Sequence, residues 1–194
     1  TSEQASVRLA VIQALGTLGG GSHVSGLMSR VDKASDQELA AIRAALLRMS
    51  DQGVDQSMIA MLEHSVQPSI RRELVRALKA RECMQAVPLF LRLVRDRDTE
   101  TSRAAIQAVG ELGDMQACRA LIDVVPDLHS SAQIRDLEDA IARLARDSDQ
   151  SARITDWVVA AMRDSDVSVQ VSLLRMLGRL GHEKALESVR ATLT

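Results

Sequence analysis

The side chains able to do chemistry are few and scattered. His23, His64, His129 and His182 stand far apart, and none has a Cys, His or acidic partner at metal-ligand spacing. Cys83 and Cys118 are too few for a disulfide framework and lack the neighbouring cysteine of a metal or redox motif. They read as small, half-buried residues of neighbouring helices in a reducing compartment, and a cytoplasmic location is the expectation. Asp147-Ser148-Asp149 and Arg95-Asp96-Arg97-Asp98 lack the Gly and terminal Glu of a calcium loop, so they read as solvated turns. Gly19-Gly20-Gly21 neither follows a strand nor precedes Lys-Ser/Thr, which leaves a flexible turn rather than a phosphate loop. Ser22, Ser130 and Ser131 sit in no nucleophile elbow. The expectation is a chain with no catalytic residue, no metal and no cofactor, hence not an enzyme. What remains is recognition chemistry: a cationic run of Arg71, Arg72, Arg76, Lys79 and Arg81, joined further along by Arg103 and Arg135, and one tryptophan, Trp157.

The elements that must carry these residues are helices in a repeat. The chain has 194 residues with one Phe, one Trp and no Tyr, so its core is built from aliphatic residues, Ala and Met, and three Pro and ten Gly leave helix favoured over strand. Val11-Ile12-Gln13-Ala14-Leu15-Gly16-Thr17-Leu18-Gly19 recurs as Ala105 to Gly113 and again as Leu173 to Gly181, with weaker copies at Ile42 to Met49, Leu74 to Arg81 and Leu137 to Leu144. The anchors Leu15, Leu46, Leu78, Val109, Ile141 and Leu177 are spaced 31, 32, 31, 32 and 36 residues apart, a period that marks a stack of repeats. Apolar steps of three and four residues, as in Leu173, Leu174, Leu177 and Leu180, make each copy an amphipathic helix. A second helix follows each copy: His23 to Val31, Val54 to Leu62, Ala86 to Val94, Ala117 to Val125, Ile154 to Met162 and Ala185 to Leu193. The delayed start at Ile154 implies a short insertion near 147–151. Gly19, Gly113 and Gly181 read as left-handed helix stops, Pro88 as a first-turn residue, and Asp96, Asp98, Asp164 and Asp166 as helix caps.

These units resemble the HEAT-like repeats of phycobilisome lyases, which run Val-Arg-x-x-Ala-x-x-Ala-Leu-Gly-x-Leu-Gly and then Ala-Val-Pro-x-Leu. The matching residues are Val7-Arg8, Ala14-Leu15-Gly16, Leu18-Gly19, Ile70-Arg71, Ala77-Leu78 and Ala86-Val87-Pro88. The resemblance spans essentially the whole chain and implies an all-α, right-handed α-solenoid of about six hairpins, residues 1–194 forming one array with the Leu-Gly helices on its concave side. Glu38-Leu39, Gln133-Ile134 and Val169-Gln170 depart from the pattern, which puts a regular Arg ladder in doubt there. Neither terminal helix is uniformly polar, so a segment of a longer array is the expectation.

Charge narrows the function classes. Lys plus Arg number 24 against 26 Asp plus Glu, a formal net charge of −2, which argues against bulk nucleic-acid binding. No apolar run approaches the roughly 20 residues of a membrane span, and the opening TSEQASVR has no signal-peptide character. Across the six Leu-Gly helices, however, 14 basic residues face 9 acidic ones. The implied function is a scaffold binding a protein or peptide, acidic in character, through Arg71, Arg72, Arg76, Lys79, Arg103 and Arg135, with Trp157 as an anchor. The competing account is a solvated face with internal pairs such as Glu73 with Arg72 and Arg76, and a Trp157 that only fills space in a widened repeat. On the anchoring account, reversing Arg72 and Arg76 to Glu weakens binding and leaves melting unchanged. Two other classes come with the resemblance: a bilin lyase-like subunit and a HEAT-type DNA-repair module. The scarcity of aromatics to clasp a chromophore or stack on bases weighs against both.

Overall fold

The structure is a computed structural model that describes residues 2–181 except Gln52, His129, Asp147 and Asp164, and beyond them Glu183, Leu186 and Arg190. Among the described residues every regular element is helical. The Leu-Gly copies become α1 (Ser2–Leu18), α3 (Asp36–Arg48), α5 (Pro68–Ala80), α7 (Thr99–Leu112), α9 (Ser131–Leu144) and α11 (Val167–Leu180). Their partners are α2 (Val24–Met28), α4 (Gly53–His64), α6 (Val87–Leu93), α8 (Met115–Val124) and α10 (Ser148–Arg163). The sixth expected partner, Ala185 to Leu193, and the expected cap Asp164 lie outside the described residues, apart from Leu186 and Arg190.

The helices begin where side chains satisfy their free N–H groups. Ser35 and Glu38 form a reciprocal capping box at α3, and Ser130 with Gln133 does the same at α9. Asp98, Asp114 and Asp166 accept from Thr101, Ala117 and Val169 at the starts of α7, α8 and α11. Pro68 opens α5, where its missing N–H is no loss. Ser148 already begins α10, so the extra residues expected near 147–151 enter largely as an added helical turn rather than a loop.

Two compact units form, residues 1–89 and residues 90–194. In the first, α1, α3 and α5 pack in succession as one layer, and α2 and α4 form the other. Val24, Leu27, Ile42, Leu46, Met58 and Leu78 are fully enclosed between them. In the second, α7, α9 and α11 form one layer and α8 with α10 the other, closing over Phe90, Ile106, Val109, Leu121, Ile154 and Val158. Five of the six anchors are buried as expected, whereas Leu15 is half-buried on α1, whose Val7, Val11 and Leu18 are exposed.

The glycines divide into two kinds. Of the three expected left-handed stops only Gly181 adopts that conformation, at φ 62°. Gly113 is extended, and a Cβ there would lie 2.5 Å from the Val109 carbonyl oxygen and 2.9 Å from the Ala117 Cβ; at Gly19 it would lie 2.4 Å from the Leu15 carbonyl oxygen. Space, not φ, demands glycine at both. The Gly19-Gly20-Gly21 turn is likewise packed, not a loose spacer: the Gly21 N–H donates to Asp51 Oδ2 at 3.2 Å. The second left-handed stop is a surprise, Glu82 at φ 54°. It follows the α5 cap Arg81, and the Glu82 and Cys83 N–H groups return to the Lys79 and Leu78 carbonyls at 2.9 and 3.0 Å, a Schellman ending built without glycine. Glu82→Gly is therefore expected to raise the unfolding free energy by about 1 kcal/mol, read from chemical denaturation, because it removes the cost of a Cβ in that region.

Candidate functional site

The cationic run begins on α5, which carries Arg71, Arg72, Arg76 and Lys79 against one carboxylate, Glu73. Glu73 is buried on α5 and serves two guanidiniums. Arg43 of α3 approaches it through Nε at 2.6 Å and Nη2 at 2.7 Å, and Arg76 through Nη1 at 2.7 Å. Burial works to raise the Glu73 pKa, but the hydrogen bonds and charge of Arg43 and Arg76 outweigh it, so the carboxyl titrates below its ordinary range. Arg71 donates to the Ser65 carbonyl at 2.7 Å. Arg72 and Lys79 are half-buried and Arg76 is exposed. A charge reversal at Arg76 would thus strike a buried carboxylate, so the expectation of unchanged melting for Arg72 and Arg76 reversed together does not survive. Arg81 lies apart from this surface and is itself largely enclosed, its side chain 13% exposed against Asp55.

Glu38 is the counterpart of Glu73 one repeat earlier. Arg8 Nε donates to it at 2.5 Å and the Ser35 N–H at 3.0 Å, which together hold its pKa below the usual range. Both carboxyls are more acidic folded than unfolded, so what they contribute is complete above the unfolded value near 4.3 and is lost as pH falls through the folded value. Denaturant midpoints are expected to stay level from neutral pH to about pH 5 and to drop below about pH 4.5, with a shallower acid limb in Glu73→Gln.

In residues 90–194 the balance differs. Arg103 donates to Asp136 at 2.6 Å and to Glu100 at 3.0 Å, and these bonds, Asp136 foremost, raise its already high pKa. Arg143 reaches Glu111 at 3.0 Å, and Arg179 pairs with Glu138 and Asp139. Arg135 is exposed. Five basic residues meet five acidic ones on α7, α9 and α11, so the basic bias read across all six helices resides in the first unit, on α5. The pairs that cancel it in the second unit join acids and bases roughly one repeat apart, which composition does not reveal.

Trp157 stands on α10 at the edge of the core stripe Ser151, Ile154, Thr155 and Val158, all of which are buried. It is half-buried, not packed into the centre of a widened repeat. Two guanidiniums face its ring, Arg119 of α8 and Arg153 of its own helix, each 5.6 Å from the centroid.

The turns expected to be solvated carry structural duties. Asp98 caps α7, Asp96 Oδ1 accepts from the Asp98 N–H at 2.9 Å, and Arg95 pairs with Asp127 at 2.6 Å beside a cavity of about 470 Å³ lined also by Arg97, Thr99, Ser130 and Gln133. Behind it, Gln133 donates to Ser102 Oγ at 2.8 Å and Ser102 to the Val94 carbonyl at 2.6 Å, a buried chain that sequence reading missed although Ser130-x-x-Gln133 signals the cap. Among the described residues no group of three or more metal-capable side chains occurs. His23 accepts from the Gly20 N–H, His64 ends α4, and His129 and His182 lie outside the described residues. Cys83 and Cys118 are buried rather than half-buried, one in each unit, and burial pushes the Cys118 thiol up to about 12. Among the described residues no helix is long and apolar enough to cross a membrane.

Paired helices that carry a repeated Leu-Gly motif, with much of their charge arranged as interhelical pairs, define an all-α repeat protein. Residues 56–133 match the family model of HEAT repeats, so the resemblance read from the Leu-Gly pattern holds at the level of the repeat. No curated protein matches the chain. HEAT repeats are generally protein-interaction scaffolds.

Proposed function

We propose that the chain is a non-catalytic scaffold that binds an acidic protein or peptide through the α5 surface of its first unit. The observation that carries this reading is the charge imbalance on α5, where Arg71, Arg72, Arg76 and Lys79 accompany a single carboxylate that Arg43 also claims. Cations in such excess attract an anionic partner and speed its encounter, and the attraction fades with salt. Arg103, Arg135 and Trp157 lie in the second unit and form no part of this α5 surface. With the chain as bait, capture of acidic proteins at ~0.15 M salt is expected to fall several-fold for Arg72→Gln with Lys79→Gln, a pair that spares the Glu73 cluster, while helicity is kept. Capture equal to that of the parent chain overturns the α5 assignment.

A further inference from the structure

Most arginines on the Leu-Gly helices with a resolved partner meet a carboxylate: Arg8 meets Glu38, Arg43 and Arg76 meet Glu73, Arg103 meets Asp136, Arg143 meets Glu111 and Arg179 meets Asp139. The other layer of the second unit holds a different arrangement. Arg119 on α8 and Arg153 on α10 are both exposed and both rest on the same indole, Trp157, at 5.6 Å from its centroid. Neither forms an ion pair among the described residues. Carboxylates stand close in sequence, Asp123 one turn beyond Arg119 and Asp156 beside Trp157, yet both guanidiniums stay on the ring.

A guanidinium stacked on an aromatic face keeps its N–H edge free, and that edge forms a two-pronged match to a carboxylate. Stacking also limits the rotamers of a long side chain before any partner arrives, so less freedom is lost on binding. Two such forks on one half-buried ring make a cationic, pre-organised patch, to which the complementary ligand is a segment bearing closely spaced carboxylates. We infer that the Arg119–Trp157–Arg153 stack on α8 and α10 is a second docking surface, whose occupant is a Glu- and Asp-rich peptide segment of a partner protein. This surface is independent of α5: it uses other residues, in the other unit.

Trp157 is the sole tryptophan of the chain, so its fluorescence reports on this patch alone. The test titrates the whole chain with a deca-glutamate peptide, following Trp157 emission. A saturable change is expected, absent with deca-glutamine and fading as salt rises. Arg119→Gln with Arg153→Gln is expected to weaken the binding reported by Trp157 emission at least tenfold with unchanged far-ultraviolet dichroism. The α5 pair Arg72→Gln with Lys79→Gln is expected to retain the Trp157 response, which separates failure of this surface from failure of the α5 reading. Absence of a saturable change in Trp157 emission, an unchanged midpoint of that change in the Arg119/Arg153 variant, or an equal Trp157 response to single-stranded DNA of matched charge would overturn the assignment.

Discussion

Replacing Arg81 with alanine is expected to lower the unfolding free energy by about 3 kcal/mol, read from denaturant melts. Arg81 looks like one more cation of the basic run, but its guanidinium is turned inward. It pairs with Asp55 of α4 and donates through Nη1 to the Leu46 carbonyl at 2.9 Å, the Met49 carbonyl at 2.6 Å and the Leu47 carbonyl at 3.3 Å. Those carbonyls close α3, whose last turn has no intrahelical donors to offer them. One side chain from the following repeat thus supplies the cap, the counter-charge for Asp55 and a cation at the negative end of a helix. Truncation strands all of them in a largely enclosed place. Arg81→Lys is expected to restore only part of the loss, since one ammonium cannot span Asp55 and three carbonyls together. A loss below about 1 kcal/mol in Arg81→Ala would show that water replaces these bonds freely.

Gly110→Ala is the second large effect, an expected loss of about 2 kcal/mol. A Cβ at Gly110 would lie 2.6 Å from the Ala140 Cβ and 2.7 Å from its Cα, where α7 crosses α9. The first unit repeats the arrangement at Gly16, whose Cβ would meet the Ala45 Cα at 2.8 Å between α1 and α3. Backbone atoms cannot step aside, so the helices must separate and forfeit packing along the whole crossing. Gly178 occupies the same motif position on α11, and a Cβ there would meet nothing within 4 Å among the described residues. Gly178→Ala is therefore expected to be neutral or to gain up to about 1 kcal/mol from helix propensity. Equal effects at Gly110 and Gly178 would refute the close-packing account of the Leu-Gly motif.

The contrast between Gly110 and Gly178 shows where sequence reading reaches its end. Period and apolar spacing located every Leu-Gly helix, because a buried stripe of Leu46, Leu78, Val109 and Ile141 leaves a periodic trace. The same motif could not reveal which glycine meets a neighbouring backbone, which takes a positive φ, or that Glu82 would stand where the pattern places glycine. Those outcomes depend on how the next helix arrives. Charge behaves alike: counting within helices exposed the surplus on α5, but the neutralisation of Arg103 by Asp136 joins residues about a repeat apart. The capping boxes of Ser35 and Ser130 are legible in the Ser-x-x-Glu and Ser-x-x-Gln spacings. Trp157 was legible only as an oddity, since the two arginines that define its surroundings come from α8 and α10 at 119 and 153.

The measurement that bears most directly on the scaffold reading is capture with the intact chain as bait at low and moderate salt, the eluate analysed for protein, nucleic acid and tetrapyrrole pigment. Recovery of a specific acidic protein, retained less as salt rises and lost several-fold with Arg72→Gln and Lys79→Gln, is the predicted result. Recovery of nucleic acid or of a bound pigment in place of such a protein would contradict it.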